Sequence, residues 1–168
     1  MSNMPNVPVS GNAREHLMAV AARLFAKRGY AAVNVTAIAR AAGVTTGALY
    51  HHFNSKAGLY QAVRLDLEER IVACMEEAAV TRHKLRPAAR AALHAGLETC
   101  HNLNAARIVS EPLPETSQDA IGDFFLRLCG PERAARAALL TVLFRSSLAV
   151  LHRGQTLEQT SSALEWLL

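Results

Sequence analysis

The segment that most limits how this chain can fold is NVTAIARAAGVTTGALYHHFNSK, residues 34–56. It reads as two short helices, each preceded by a good capping residue. Asn34 can place its side-chain oxygen on an orphan amide of the first helix, and Thr45 can do so for the second. Val35, Ile38, Ala39 and Ala42 recur at helical spacing and make one apolar stripe. Gly43 stops the first helix, and Val44 leads at once into the second, about Thr46 to Phe53. Two short helices across a tight glycine turn have helix-turn-helix geometry. Ile38, Ala42, Val44, Leu49 and Phe53 lock them together. The first then braces the second, which is free to enter the major groove of DNA.

The residue types suit that task. Thr45, Thr46, Gly47 and Ala48 are small, so the start of the second helix can approach DNA closely. Its free amides and dipole favour phosphate there. Tyr50, His51 and His52 offer donors and flat surfaces, and Lys56 adds a positive charge. The charge distribution points the same way. Residues 1–60 carry six Lys/Arg and one acid, a net +5; residues 61–168 carry twelve and thirteen, a net −1, which together make the chain's +4. A basic head on a near-neutral body matches a phosphate-binding module.

Further elements flank the segment. Ala22-Arg23-Leu24-Phe25-Ala26-Lys27-Arg28-Gly29-Tyr30 precedes it, and Leu59 follows. With Ile38-Ala39, Ala42-Gly43-Val44 and Gly47-Ala48-Leu49-Tyr50-His51-His52-Phe53, the stretch 13–60 resembles the DNA-binding domain of the TetR family of transcriptional regulators. The resemblance implies that Thr45, Thr46, Gly47 and Ala48 face base edges or nearby phosphates. It implies that Tyr50, His51 and Lys56 hold phosphates, that His52 reaches either, and that Thr36 contacts the backbone or an adjacent base. Asn34 stands where that family commonly has threonine, and caps as well. No arginine lies on this helix, so bidentate guanine readout is not expected of it; thymine methyls and DNA shape are the remaining means of selection.

The expected fold is all-α with about nine helices. An arm over 1–11 precedes a helix-turn-helix domain over 12–56, and a helical ligand-binding and dimerisation body spans 57–168. Helices are predicted at about Asn12–Arg28, Lys56–Thr81, Pro87–His101 and Asn104–Val109. Others run from Thr116 or Ser117 to Gly130, from Pro131 to Arg153, and from Thr156 to the end. Leu59, Val63, Leu67, Ile71 and Met75 form the inner face of the second of these. The resemblance implies a homodimer on a two-fold operator, released by a small apolar inducer. Candidate pocket walls are Ile71, Met75, Leu93, Leu97, Cys100, Phe124, Phe125 and Leu128, with His94, His101 and Arg107 as polar anchors. For the dimer interface the apolar helix Ala134–Leu151 and the last helix stand out, with Leu139, Leu143, Leu148, Leu151 and Trp166.

Other classes find less support. There is no glycine-rich phosphate loop, no GxSxG and no HExxH, so an enzyme is not expected. No metal or other cofactor is expected: His51 and His52 diverge by about 100° on a helix, and His94, Glu98 and His101 share a face as ordinary polar residues do. Cys74, Cys100 and Cys129 have no CxxC spacing and read as buried thiols of a cytoplasmic protein. The apolar run Ala137–Phe144 is far shorter than the roughly 20 residues of a membrane span. The alternatives are a helical interaction protein, or an architectural DNA binder without an inducer.

Overall fold

A computed structural model describes residues 10–112 and 118–167 of the chain, with side-chain placement from Ala13 onward. Among them the regular structure is helical throughout: α1 (Ser10–Arg28), α2 (Val35–Ala41), α3 (Thr46–Phe53), α4 (Lys56–Val80), α5 (Leu85–Asn102), α6 (Ala106–Ser110), α7 (Ala120–Cys129), α8 (Ala134–His152) and α9 (Leu157–Leu167). The chain divides into two compact units that meet within α4, between Val63 and Arg64.

In the first unit, α1 turns its apolar stripe inward: Leu17, Val20, Ala21 and Phe25 are buried. Ile38 of α2, Leu49 and Phe53 of α3, and Leu59 and Val63 of α4 are buried in the same unit, where α1 packs on α2, α2 packs on α3, and Phe25 meets Tyr60 of α4. The local signals act as the sequence predicts. Asn34 Oδ1 accepts from the Ala37 amide at 2.7 Å, and Thr45 Oγ1 from the Ala48 amide at 3.1 Å. Gly43, between α2 and α3, has φ +67°, a conformation that costs residues with a Cβ but not glycine.

In the second unit α8 is the central helix. It packs against α5, α6, α7 and α9. The core holds Ile71, Met75, Leu93, Leu97, Phe124, Phe125, Phe144 and Leu148. At the start of α9, Thr156 Oγ1 accepts from the Gln159 amide while Gln159 Oε1 accepts from the Thr156 amide, a reciprocal capping box.

Several boundaries differ from expectation. α5 starts two residues before Pro87, which still lies in the first turn, where its missing N–H leaves no bond unmade. The short helix begins at Ala106, because Asn104 takes a positive φ of 52° and cannot join it. Pro131 opens a 3₁₀ turn, Pro131–Arg133, before α8 begins. α7 starts at Ala120, with the Asp119 carboxylate accepting from the Gly122 amide; Thr116 and Ser117, expected to start it, lie outside the described residues, as does most of the 1–11 arm. The stretch Pro131–His152 is long and apolar enough to cross a membrane by length and composition, longer than the Ala137–Phe144 run because the helix continues through Arg145.

Candidate nucleic-acid interface

α3 has two opposite faces. Leu49 and Phe53, four residues apart, point into the core. Thr46 and Tyr50, and Gly47 and His51, are the pairs four apart on the other side, and all four residues are exposed. Tyr50 keeps 49% of its surface in water. Thr45 and Thr36 are exposed as well, while Ala48 and His52 are half-buried. Of the predicted DNA-contacting residues of α3, Thr46, Gly47, Tyr50 and His51 thus share its outward face, with Ala48 and His52 at the edge of it.

Gly47 is informative by what surrounds it. A Cβ built there meets nothing nearer than Thr45 Oγ1 at 3.7 Å. Packing within the protein does not require glycine, so the open space lies toward solvent. The charge of this unit is one-sided: Arg14, Arg23, Lys27, Arg28, Arg40 and Lys56 against Glu15 alone.

Two features escaped the sequence reading. Lys56 is not a free surface cation. It is half-buried, with Nζ 4.2 Å from the centre of the Tyr30 ring. Tyr30 meets Tyr60 edge-on at 4.9 Å, and Tyr60 meets Phe25 at 5.0 Å. Gly58 is the second. A Cβ there would run into the carbonyl oxygen of Phe53, so the end of α3 and the first turn of α4 approach as only glycine allows. Its signal was present: glycine is a poor helix former, so one in a helix's first turn asks for a packing reason.

In the second unit Met75, Leu97, Cys100, Phe124 and Phe125 are all buried. The expected polar anchors do not join them as a set. His101 is exposed, Arg107 is half-buried, and His94 Nε2 lies 2.9 Å from Glu165 Oε1 on α9. That contact has ion-pair distance without hydrogen-bond alignment. Among the described residues no three His, Cys, Asp or Glu side chains gather as a metal site. Burial, and secondarily the charge of Glu68, pushes the Cys100 thiol up to about 12; burial also raises Cys129. Both are poor nucleophiles at neutral pH.

The polar group inside this unit is instead a charged network that periodicity did not reveal. Arg64 and Glu68 of α4 are 3% and 1% exposed. Arg64 Nε donates to Glu68 Oε1 at 3.0 Å and its Nη2 to the Val109 carbonyl at 3.1 Å. Arg145 of α8 donates to Glu68 Oε1 at 3.2 Å, to Val109 O at 2.8 Å and to Asp119 Oδ1 at 2.8 Å. Two arginines and two carboxylates balance, as buried charges must.

The predicted interface residues separate into two groups. Leu139 is 71% exposed and Trp166 86%, while Leu143 and Leu151 are half-buried. Leu148 is fully enclosed by the chain's own helices, because it follows Phe144 by four residues and shares its inward face. It is removed from the outer face, where Val142, Val150 and Leu167 are exposed instead.

Comparison with known proteins agrees with this geometry. The family model of bacterial regulatory proteins, tetR family, matches residues 17–63. The HTH-type transcriptional regulator AcrR of Shigella flexneri is 44% identical over 50 residues, covering 30% of this chain and 23% of AcrR. The HTH-type transcriptional activator FasR of Mycolicibacterium smegmatis is 33% identical over 144 residues, 77% of this chain and 65% of FasR. The chain thus spans under a quarter of the length of AcrR in its match, and less than two thirds of FasR. A TetR-family transcriptional regulator from Pectobacterium atrosepticum, solved by crystallography, superposes with a TM-score of 0.72 at 26% identity, covering 95% of this chain and 93% of that one. The head is thus matched by sequence to the tetR family of bacterial regulatory proteins, and nearly the whole chain shares the fold of a TetR-family regulator.

Proposed function

We propose that the chain binds a palindromic operator as a homodimer and represses transcription until a small, largely apolar ligand releases it. The observation that carries the DNA reading is the outward face of α3. Thr46, Gly47, Tyr50 and His51 are exposed together while Leu49 and Phe53 anchor the same helix. In this reading Thr45, Thr46, Gly47 and Ala48 approach the base edges, Tyr50, His51 and His52 contact phosphate or base, and Thr36 and Lys56 hold the flanking backbone. Lys56 does so from the Tyr30 ring, which limits its rotamers.

The homodimer reading rests on α8 and α9. Leu139, Val142, Val150, Trp166 and Leu167 leave a broad apolar face in water. A groove of about 410 Å³ runs between the two helices, floored by Leu143, Val150, Leu164 and Leu167. Such patches mark association surfaces, and two copies would cover each other by two-fold symmetry. The ligand reading places an apolar molecule among Met75, Leu97, Cys100, Phe124 and Phe125. Such a ligand acts only through its different affinity for the two states of the dimer. A cytoplasmic location follows from this work on operators.

The test is selection of bound duplexes from a random library, with Tyr50→Ala/Thr46→Ala as the control. Enrichment of an inverted repeat by the wild type alone supports the reading. Recovery with no shared sequence marks a nonspecific DNA binder, and no recovery at low salt removes the operator reading. Sedimentation of Leu139→Asp and the wild type tests the dimer: a monomeric wild type at micromolar concentration would overturn it.

A further inference from the structure

The second unit contains a further groove, which shares only Leu167 with the α8–α9 face. It has a volume of about 840 Å³ and lies where the start of α5, the start of α8 and the end of α9 converge. Leu85, Leu140 and Leu167 give it apolar walls; Lys84, Arg86, Arg90 and Arg136 are its charged ones. Residues 61–168 are net negative overall, yet four of their twelve cations line this one groove, and among the described residues no acid does. Two are already engaged. Arg90 donates to Glu165 at 3.1 Å, and Arg86 has a partner of its own. Among the described residues, Lys84, just before α5, and Arg136 of α8 are the cations left for an occupant. Lys84 is also the N-cap of the 18-residue α5 and gives it no side-chain cap, so the positive end of that helix opens at the same place.

We infer that this groove binds an amphipathic monoanion: a carboxylate held between Lys84 and Arg136, with an aliphatic body against Leu85, Leu140 and Leu167. One carboxylate matches the two remaining cations, and charge-assisted hydrogen bonds to them are the strong kind. Its volume is within the range of small-molecule sites. The chemistry excludes a simple anion, which has nothing to place on the leucines, and a neutral alkyl chain, which leaves the cations unanswered. The occupant bridges three helices of the second unit and therefore stabilises it by mass action. This inference does not depend on the operator reading.

The experiment uses the full chain and three probes below their aggregation limits: dodecanoate, dodecanol and acetate. Calorimetric titration and thermal unfolding are the readouts. Trp166, the chain's only tryptophan and the neighbour of Leu167, gives a fluorescence signal besides. Dodecanoate is expected to bind saturably, one per chain, and to raise the melting temperature. Dodecanol and acetate should bind at least about tenfold more weakly. Lys84→Ala/Arg136→Ala should lose about tenfold or more in dodecanoate affinity while keeping its circular dichroism and sedimentation unchanged, since both side chains are exposed. Equal binding of dodecanol, or an unchanged dodecanoate affinity in the double variant, overturns the inference. A double variant that instead loses self-association shows the groove to be a contact between copies. One that loses only nonspecific duplex binding shows it to be a phosphate-backbone surface.

Discussion

Gly47→Ala separates the needs of the fold from those of DNA. Gly47 is the second residue of α3, and its added Cβ has only an ordinary 3.7 Å contact with Thr45 Oγ1. The fold therefore tolerates alanine and gains from it. Alanine exceeds glycine by about 0.8–1.0 kcal/mol in a helix interior, and roughly half of that applies in the first turn. In a chain of this size about 1 kcal/mol moves the melting temperature by 2–4 °C, so the variant should melt about 1–2 °C higher. In the proposed docking on DNA the same methyl enters the closest point of approach. Inserting a methyl into a packed contact costs about 1–3 kcal/mol, or roughly 5- to 150-fold in Kd for each head. Thermal unfolding and fluorescence anisotropy with a selected duplex measure the two effects on one sample. A higher melting temperature with undiminished DNA affinity would refute the placement of α3's start against the groove.

The remaining predictions concern the scaffold and the buried charges. Gly58→Ala should destabilise the first unit by at least about 2 kcal/mol, because its Cβ meets the Phe53 carbonyl rather than a movable side chain; denaturant titration measures this, and a neutral result would mean α3 and α4 can separate freely. Glu68→Gln leaves Arg64 and Arg145 charged without the carboxylate between them and should cost about 3–5 kcal/mol; a loss under 1 kcal/mol would show that the network is solvated. Cys100 supplies a pH test. Its folded pKa of about 12 exceeds the unfolded value of 9.0, so its contribution is complete below pH 9 and is lost as pH rises toward 12. The loss is about 1.4 kcal/mol per pH unit in that window, and Cys100→Val should lack that part of the slope in urea titrations.

Local chemistry made the head legible. Asn34, Gly43 and Thr45 act through their nearest neighbours in sequence, and their roles require nothing from distant parts of the chain. The faces of α3 follow from spacing alone, so the stripe through Thr46, Gly47, Tyr50 and His51 could be named from residue order. What sequence did not show depends on contacts across the fold. Lys56 meets Tyr30 26 positions away, and Arg145 meets Glu68 at a separation of 77. Neither pairing leaves a periodic trace. His94 and His101 share a helix face, as their spacing requires, but burial on that face differs from turn to turn. Leu148 shows the converse limit: α8 is apolar nearly all round, so hydrophobicity alone does not distinguish its core face from its outer one.

The arginine network has a consequence for how α6 and α7 are held together. Arg145 holds the Val109 carbonyl on one shore of residues 113–117 and the Asp119 carboxylate on the other. Arg64 also reaches Pro112 O, at 3.4 Å. Val109 and Asp119 are clamped to the same guanidinium, so their separation is set by α8. The clamp on α8 is what keeps the end of α6 and the start of α7 in register.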